Sequence, residues 1–205
     1  MPFRAVLLDR DGVLNVNRPD HVTHPAQWQW LPGAVDACCR LTDLGIPRIA
    51  VVTNQSAVGR GLLTADGLSR IHDRMTADLA EAGVPRPVVV HCPHLPDAGC
   101  PCRKPRPGML VQALEKLGVA PAEALLVGDH DTDLAAAAEA GCWSVHVRTG
   151  RGRLETLRPG CLGSVADLGA VAGLVASLRT ARWSPPGGRP GTPGPRPAPT
   201  EGALL

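Results

Sequence analysis

Aromatic side chains are scarce: 205 residues include one Phe, four Trp and no Tyr. The core must therefore be aliphatic, and the stacked rings that grip single-stranded nucleic acid are missing. Charge of either sign is also lacking in excess, since 21 Lys and Arg face 19 Asp and Glu for a formal net charge of +2. A balance this close leaves no basic stripe for nucleic acid and no acidic tail. No run approaches the roughly 20 apolar residues that cross a bilayer. The first residues lead into an apolar strand without a basic start or a small-residue cleavage site, so we expect no signal peptide and a cytoplasmic protein. In that reducing compartment the seven cysteines are expected to bind metal or be buried, not to form a disulfide framework.

What the chain does have is alternation. Apolar, β-rich runs recur at 5–8, 49–53, 88–91, 124–127 and 144–147, separated by helical spacing at 34–44, 65–82, 108–117 and 131–140. Continuously apolar strands alternating with helices predict an α/β fold, a doubly wound parallel sheet covered on both faces. Pro32-Gly33, Thr64 and Pro107 stand at helix starts, and Gly45, Gly83, Gly118 and Gly141 at helix ends, as capping chemistry requires. A last helix is expected near 168–178. After Trp183 the composition turns to Pro and Gly, which cannot bury enough apolar surface to offset ordering entropy. We therefore expect one catalytic domain over 1–183, a disordered tail over 184–205, and a monomer.

Ligands of doubly wound sheets bind beyond the carboxyl ends of the strands, and this chain concentrates its polar groups there. The first strand ends in Asp9-Arg10-Asp11-Gly12. Residues i and i+2 of an extended chain share a side, roughly 6–7 Å apart, so one carboxylate could attack or hold a metal while the other moves protons. A polar turn is the alternative reading. The second strand ends in Thr53-Asn54-Gln55-Ser56, which can surround a phosphate or simply cap a helix. Arg103-Lys104-Pro105-Arg106-Pro107 holds cations stiffly, to meet an anion or only to face solvent. Gly128-Asp129, with Asp131 and Asp133, again reads as either a site or a cap.

The segment from His91 to Cys102 holds three Cys and two His within twelve residues. Cys92-x-His94 and Cys100-x-Cys102, joined by a five-residue loop, match a closed tetrahedral Cys₃His zinc site. His91 is a spare that is expected to pack at the strand end. Four protein ligands leave no open position, so the role is structural, and Cys102 directly precedes Arg103-Lys104. Cys38, Cys39, Cys142 and Cys161 lack ligand spacing, so burial is expected for them. His21 and His24 are candidates for touching a substrate.

Taken in order along the strand ends, Asp9-Arg10-Asp11-Gly12, Thr53-Asn54, Lys104 and Gly128-Asp129 with Asp133 resemble the four motifs of the haloacid dehalogenase-like phosphohydrolases, over about residues 1–150. The resemblance implies Asp9 as nucleophile through an aspartyl-phosphate and Asp11 as acid and base. It implies Mg²⁺ held by Asp9, the Asp11 carbonyl and Asp129, Thr53 and Lys104 on the transferring phosphoryl group, and Asp133 in support of the metal. The zinc loop and the stretch from Thr53 to Gly61 are similar to the heptose-bisphosphate phosphatase and histidinol-phosphatase branch. That implies a small-molecule sugar phosphate as substrate, with Asn54 at the phosphate and with Arg103, Arg60 and Arg106 as candidates for a distal phosphate. The stretch from Gln55 to Gly61 and the Pro-x-Pro-Gly-Met ending at 105–109 are more similar to the heptose enzymes, which puts a heptose bisphosphate first, whereas the short ligand spacer is closer to the histidinol-phosphatase form. A nucleic-acid 3′-phosphatase and a catalytically silent phosphate-binding protein are the remaining alternatives. No large cap domain is expected.

Overall fold

The computed structural model describes residues 3–154, 156–181 and 183. Its elements, in chain order, are β1 (Ala5–Leu8), α1 (Ala34–Asp43), β2 (Arg48–Asn54), α2 (Ser56–Gly59), α3 (Ala65–Glu81), β3 (Val88–Cys92), α4 (Gly108–Leu117), β4 (Ala124–Gly128), α5 (Asp131–Ala140), β5 (Trp143–Val147), β6 (Cys161–Val165) and α6 (Leu168–Thr180). The strands form one sheet in the order β3-β2-β1-β4-β5-β6. Every neighbouring pair is parallel. The chain builds outward from β1 through β2 to β3, then crosses back to β4 on the other side. This order places a topological switch between β1 and β4, where a ligand crevice opens at the strands' carboxyl ends.

Alternation along the strands explains why both faces are covered. Val6 and Leu8 join a buried cluster with Leu41 of α1, Ile71 and Met75 of α3 and Val171 of α6. Ala5 and Leu7 face the opposite cluster, with Leu110 and Leu114 of α4 and Ala137 of α5. A strand buried on both sides carries no polar alternation, which is why AVLL reads as an unbroken apolar run. Helix starts are fixed by side chains: Thr64 accepts from the Gly67 N–H at 3.0 Å, and Asp167 accepts from Ala170 at 2.8 Å.

Two elements depart from the expectation. β6 was not foreseen, because Cys-Leu-Gly-Ser-Val carries a Gly and a Ser and lies half-buried along its whole length at the sheet edge. The single turn of α2 starts at Ser56, the last residue of the Thr-Asn-Gln-Ser segment, where local hydrogen bonding hides a helix. Cys38 and Cys142 are buried as expected, whereas Cys39 and Cys161 are only partly so. Among the described residues no helix is long and apolar enough to cross a membrane. The tail expected at 184–205 lies outside the described residues.

Leu41 is fully buried in the cluster shared by α1, α6 and the sheet. Leu41→Ala should lower unfolding stability by about 2–5 kcal/mol, read as a shifted urea midpoint with an unchanged slope.

Candidate active site

At the switch point the two ends of the chain's polar sequence meet. Asp9 directly follows β1, and its N–H donates to the Val127 carbonyl of β4 at 2.9 Å, locking the two strand ends together. Lys104 reaches in from the loop after β3. Its Nζ lies 2.7 Å from Asp9 Oδ1 and 2.5 Å from Asp133 Oδ1, and it donates to the Val52 carbonyl at 2.8 Å. Only 3% of Lys104 is exposed, so an ammonium here requires these partners. Asn54 fixes the lysine's backbone from both sides. It donates to the Lys104 carbonyl at 3.2 Å and accepts from the Lys104 N–H at 3.1 Å.

Carboxylate oxygens of Asp9, Asp129 and Asp133 lie within 4.8 Å of one another. One ammonium does not neutralise three carboxylates. Burial, reinforced by the charges of Asp133 and Asp11 and opposed by Lys104, pushes the Asp9 carboxyl up to about 6. Asp129 is held above the usual carboxylate range by burial and by Asp9. A cluster of hard oxygen donors with surplus negative charge fits Mg²⁺.

Asp11 has the opposite environment. Burial opposes its ionisation, yet the Arg10 charge and hydrogen bonds from Asn15, Arg10 and Gln55 outweigh it and hold the carboxyl below its ordinary value. Asn15 Nδ2 donates at 2.9 Å and Gln55 Nε2 at 2.8 Å. The two neighbouring aspartates are thus pushed apart in acidity. Gly12, at φ +93°, makes the turn that follows them. A Cβ there would lie 2.7 Å from Asp129 Oδ2.

These groups line an open cavity of about 420 Å³, with Asp9, Asp11, Thr53 and Lys104 inside and Arg18, His21, Arg103 and Arg151 among its lining side chains. Thr53 is buried and its hydroxyl accepts from Gln55 Nε2 at 2.9 Å. Asn54 also lines the cavity, but its amide is engaged by Lys104. Asp133 bears directly on Lys104, and its Oδ2 accepts from the His130 N–H at 3.1 Å.

Two expected anion-binding arginines lie elsewhere. Arg60 is not among the cavity-lining residues. It ends α2, whose Gly59 N–H donates to the Pro93 carbonyl at 3.0 Å, so the stretch from Gln55 to Gly61 braces the cysteine loop. Arg106 turns its guanidinium onto the carbonyls of Gly99 and Cys100, holding that loop from inside. His21 lines the cavity, whereas His24 caps the short 3₁₀ turn at Pro25–Gln27. His91 is exposed at the end of β3, its ring 5.7 Å from that of His72.

The four expected zinc ligands converge. Cys92 Sγ lies 3.6 Å from Cys100 Sγ and 3.3 Å from Cys102 Sγ, and His94 Nδ1 lies 3.4 and 3.3 Å from Cys92 and Cys102. Tetrahedral bonds of about 2.3 Å imply sulfur–sulfur edges of about 3.8 Å, close to this spacing and far from the ~2.05 Å of a disulfide. Three thiols and an imidazole, arranged this way, fit Zn²⁺.

Sequence reasoning missed the loop after β5. The Arg151 N–H donates to Asp129 Oδ2 at 2.9 Å, and Thr149 Oγ1 donates to the Gly12 carbonyl at 2.6 Å. A Cβ on Gly150 would sit 1.7 Å from Asp129 Oδ2, and one on Gly152 would sit 2.1 Å from the Asp129 carbonyl. His146 adds a ring contact of 3.1 Å to that carbonyl. The signal was present as Thr-Gly-Arg-Gly at a strand's carboxyl end.

This succession of groups along a 3-2-1-4-5-6 sheet defines a hydrolase of the haloacid dehalogenase type. The HAD-hydrolase-like family model matches residues 101–167. The D-glycero-beta-D-manno-heptose-1,7-bisphosphate 7-phosphatase of Bordetella bronchiseptica is 42% identical over 174 residues, spanning 83% of this chain and 96% of that protein. Its namesake from Pseudomonas aeruginosa is 40% identical over 84% of this chain and 97% of its own. The crystal structure of D,D-heptose 1,7-bisphosphate phosphatase from B. bronchiseptica, complexed with magnesium and phosphate, aligns with a TM-score of 0.78 at 40% identity. It covers 85% of this chain and 99% of that one. The chain belongs to the haloacid dehalogenase-like phosphatases, in their heptose-1,7-bisphosphate phosphatase branch.

Gly150→Ala should displace the Asp129 carboxylate while leaving the buried clusters intact. We expect kcat to fall by about 10²-fold, the cost of roughly 1 Å of misplacement, with little change in Tm. Phosphate release and thermal unfolding measured on the same preparation check both halves.

Proposed function

We propose that this protein hydrolyses the 7-phosphate of D-glycero-β-D-manno-heptose 1,7-bisphosphate. The observation that carries this reading is a cavity with cations beyond the one beside Asp9: Arg18, Arg103, whose Nη1 also donates to the His94 carbonyl at 3.2 Å, and Arg151 line it together with Lys104. Lys104 sits beside Asp9, and Arg103 supplies a second cation on the same lining. A bisphosphate uses both, whereas a monophosphate has work only for the first. The relatives' names supply the heptose.

In this reading the Asp9 carboxylate attacks phosphorus, forming an acyl phosphate. The bond to the sugar oxygen breaks, and that oxygen takes a proton from Asp11. Asp11 then removes a proton from water, which attacks phosphorus and frees Asp9. The hydrogen bonds that favour ionised Asp11 suit its role as base, while an approaching phosphate dianion raises its proton affinity for its role as acid. Lys104 and Thr53 hold the phosphoryl oxygens. Bound Mg²⁺, held by Asp9, Asp129 and the Asp11 carbonyl, would neutralise phosphoryl charge. Zn²⁺ on Cys92, His94, Cys100 and Cys102 would fix the loop that ends in Arg103 and Lys104. We extend the proposal to a single catalytic domain over 1–183, acting as a monomer in the cytoplasm.

The five-residue spacer between the zinc-ligand pairs favours a second reading, histidinol phosphate. Phosphate release from both heptose 1,7-bisphosphate anomers, histidinol phosphate and fructose 1,6-bisphosphate, compared by kcat/KM, separates the two. We expect the β-heptose bisphosphate to lead. Histidinol phosphate in first place would replace the proposal.

Arg103→Ala tests the second cationic position. Losing a charge-assisted hydrogen bond costs about 1.5–3 kcal/mol, so kcat/KM for the bisphosphate should fall roughly 10–150-fold more than for a monophosphate. Equal losses would assign Arg103 to the cleaved phosphate or to loop shape.

Metal analysis of the purified protein should find about one zinc per chain, as four-ligand closure requires. Cys100→Ser should lower zinc content and Tm together. A zinc-free preparation with full activity and unchanged Tm would remove the structural role.

A further inference from the structure

Arg10 stands between the two aspartates and is only 1% exposed. An isolated guanidinium in such a place is costly, and burial is tolerated where its donors are matched. Arg10 Nη2 donates to Asp11 at 2.9 and 3.0 Å, and Nε donates at 3.2 Å. Its centre lies 5.8 Å from the Trp28 ring centroid, a cation–π distance. The remaining terminal nitrogen, Nη1, meets His72 Nε2 at 3.3 Å. The buried cation thus spends its fork on the Asp11 carboxylate, which lines the cavity, and a histidine from a distant helix receives its other end.

His72 suits that position only as a neutral acceptor. Burial, then the positive charge of Arg10 and the proximity of His91, push the imidazole down to about 3. With Nε2 accepting from Arg10, the ring proton resides on Nδ1. The ring borders a separate cavity of about 370 Å³ shared with His91, Asp73 and Arg86, so the hydrogen bond as well as packing fixes its place. Its helix, α3, also anchors the loop between β1 and α1: Trp30 Nε1 donates to Asp78 at 2.7 Å, and Arg74 donates to the Pro25 carbonyl at 3.0 Å.

We propose that Arg10 and His72 are positioning residues for proton transfer, with His72 aligning the guanidinium and the guanidinium fixing the Asp11 carboxyl at the cavity wall. The inference rests on the reading of Asp11 as proton donor to the leaving group. As the phosphorus–oxygen bond breaks, its electron pair stays on the departing oxygen, which takes the Asp11 proton. A carboxyl free to rotate makes that transfer slower without altering substrate binding.

The experiment compares an alkyl phosphate, whose alkoxide needs a proton to leave, with p-nitrophenyl phosphate, whose nitrophenolate does not. Wild-type turnover of both tests the phosphatase reading by itself, and the variants test the positioning. Arg10→Lys keeps charge but loses the fork, and it should lower the first-turnover rate of alcohol release from the alkyl phosphate by about 10²-fold. His72→Asn stops short of Arg10 and should lower it by about tenfold. His72→Gln, whose amide oxygen reaches the Nε2 position, should restore most of the loss. In each variant the fall with p-nitrophenyl phosphate should be several-fold smaller, with KM unchanged for both substrates. Equal losses on the two substrates in the first-turnover rate of leaving-group release, which precedes the hydrolysis step common to both, would overturn the proposal, as would equal activity of the Asn and Gln variants. ¹⁵N NMR of wild-type His72 should show the Nδ1–H tautomer, and an Nε2–H ring would overturn the assigned contact.

Discussion

The buried ammonium of Lys104 is the contact on which the site is built. It ties together three pieces of chain that the sheet brings side by side: the end of β1 through Asp9, the start of α5 through Asp133, and β2 through the Val52 carbonyl. Burial by itself would neutralise a lysine, but the two carboxylates reverse that and hold it firmly protonated. The same cation keeps the surrounding acids from repelling one another apart. Removing either partner would strand a desolvated charge, the most expensive kind of loss in an interior.

Because Lys104 arrives on a loop, its position depends on whatever shapes that loop. Asn54 clamps its backbone from β2, Arg106 stitches the loop's carbonyls, and the cysteine cluster closes two residues upstream. α2 leans on the same segment through Gly59 and Pro93. A loop with little apolar area to bury is thereby ordered by polar contacts, and a metal held by the cysteine cluster outside the catalytic cavity would add to the precision inside it.

The sequence was most legible where one side chain had one plausible task. AVLL had to be a two-sided strand, and Asp9, Asp11, Lys104 and Asp129 lay on successive strand ends whose order predicted their convergence. The convergence of Cys92, His94, Cys100 and Cys102 was readable from spacing because metal geometry tolerates few alternatives. Legibility failed for groups whose role depends on a distant partner. Arg60 and Arg106 looked like anion binders, since nothing local showed that carbonyls of the cysteine loop would claim Arg106. Gly150 and Gly152 matter for the side chain they leave room for, which a linear pattern does not reveal. Gln55 and Arg10 were hidden in a similar way, because each acts on Asp11 through hydrogen bonds across the fold.

The mouth of the cavity also bears on chemistry. Between β1 and β2 the described chain inserts a loop with a short 3₁₀ turn, the ten-residue helix α1 and no cap domain, so the cavity over Asp9 opens to bulk solvent. An enzyme that passes phosphoryl groups between sugars must shield them from water until the second alcohol arrives. This architecture offers no such shelter, and any acceptor alcohol would compete with the full excess of water. Openness alone therefore biases the site toward irreversible release of inorganic phosphate over exchange between metabolites.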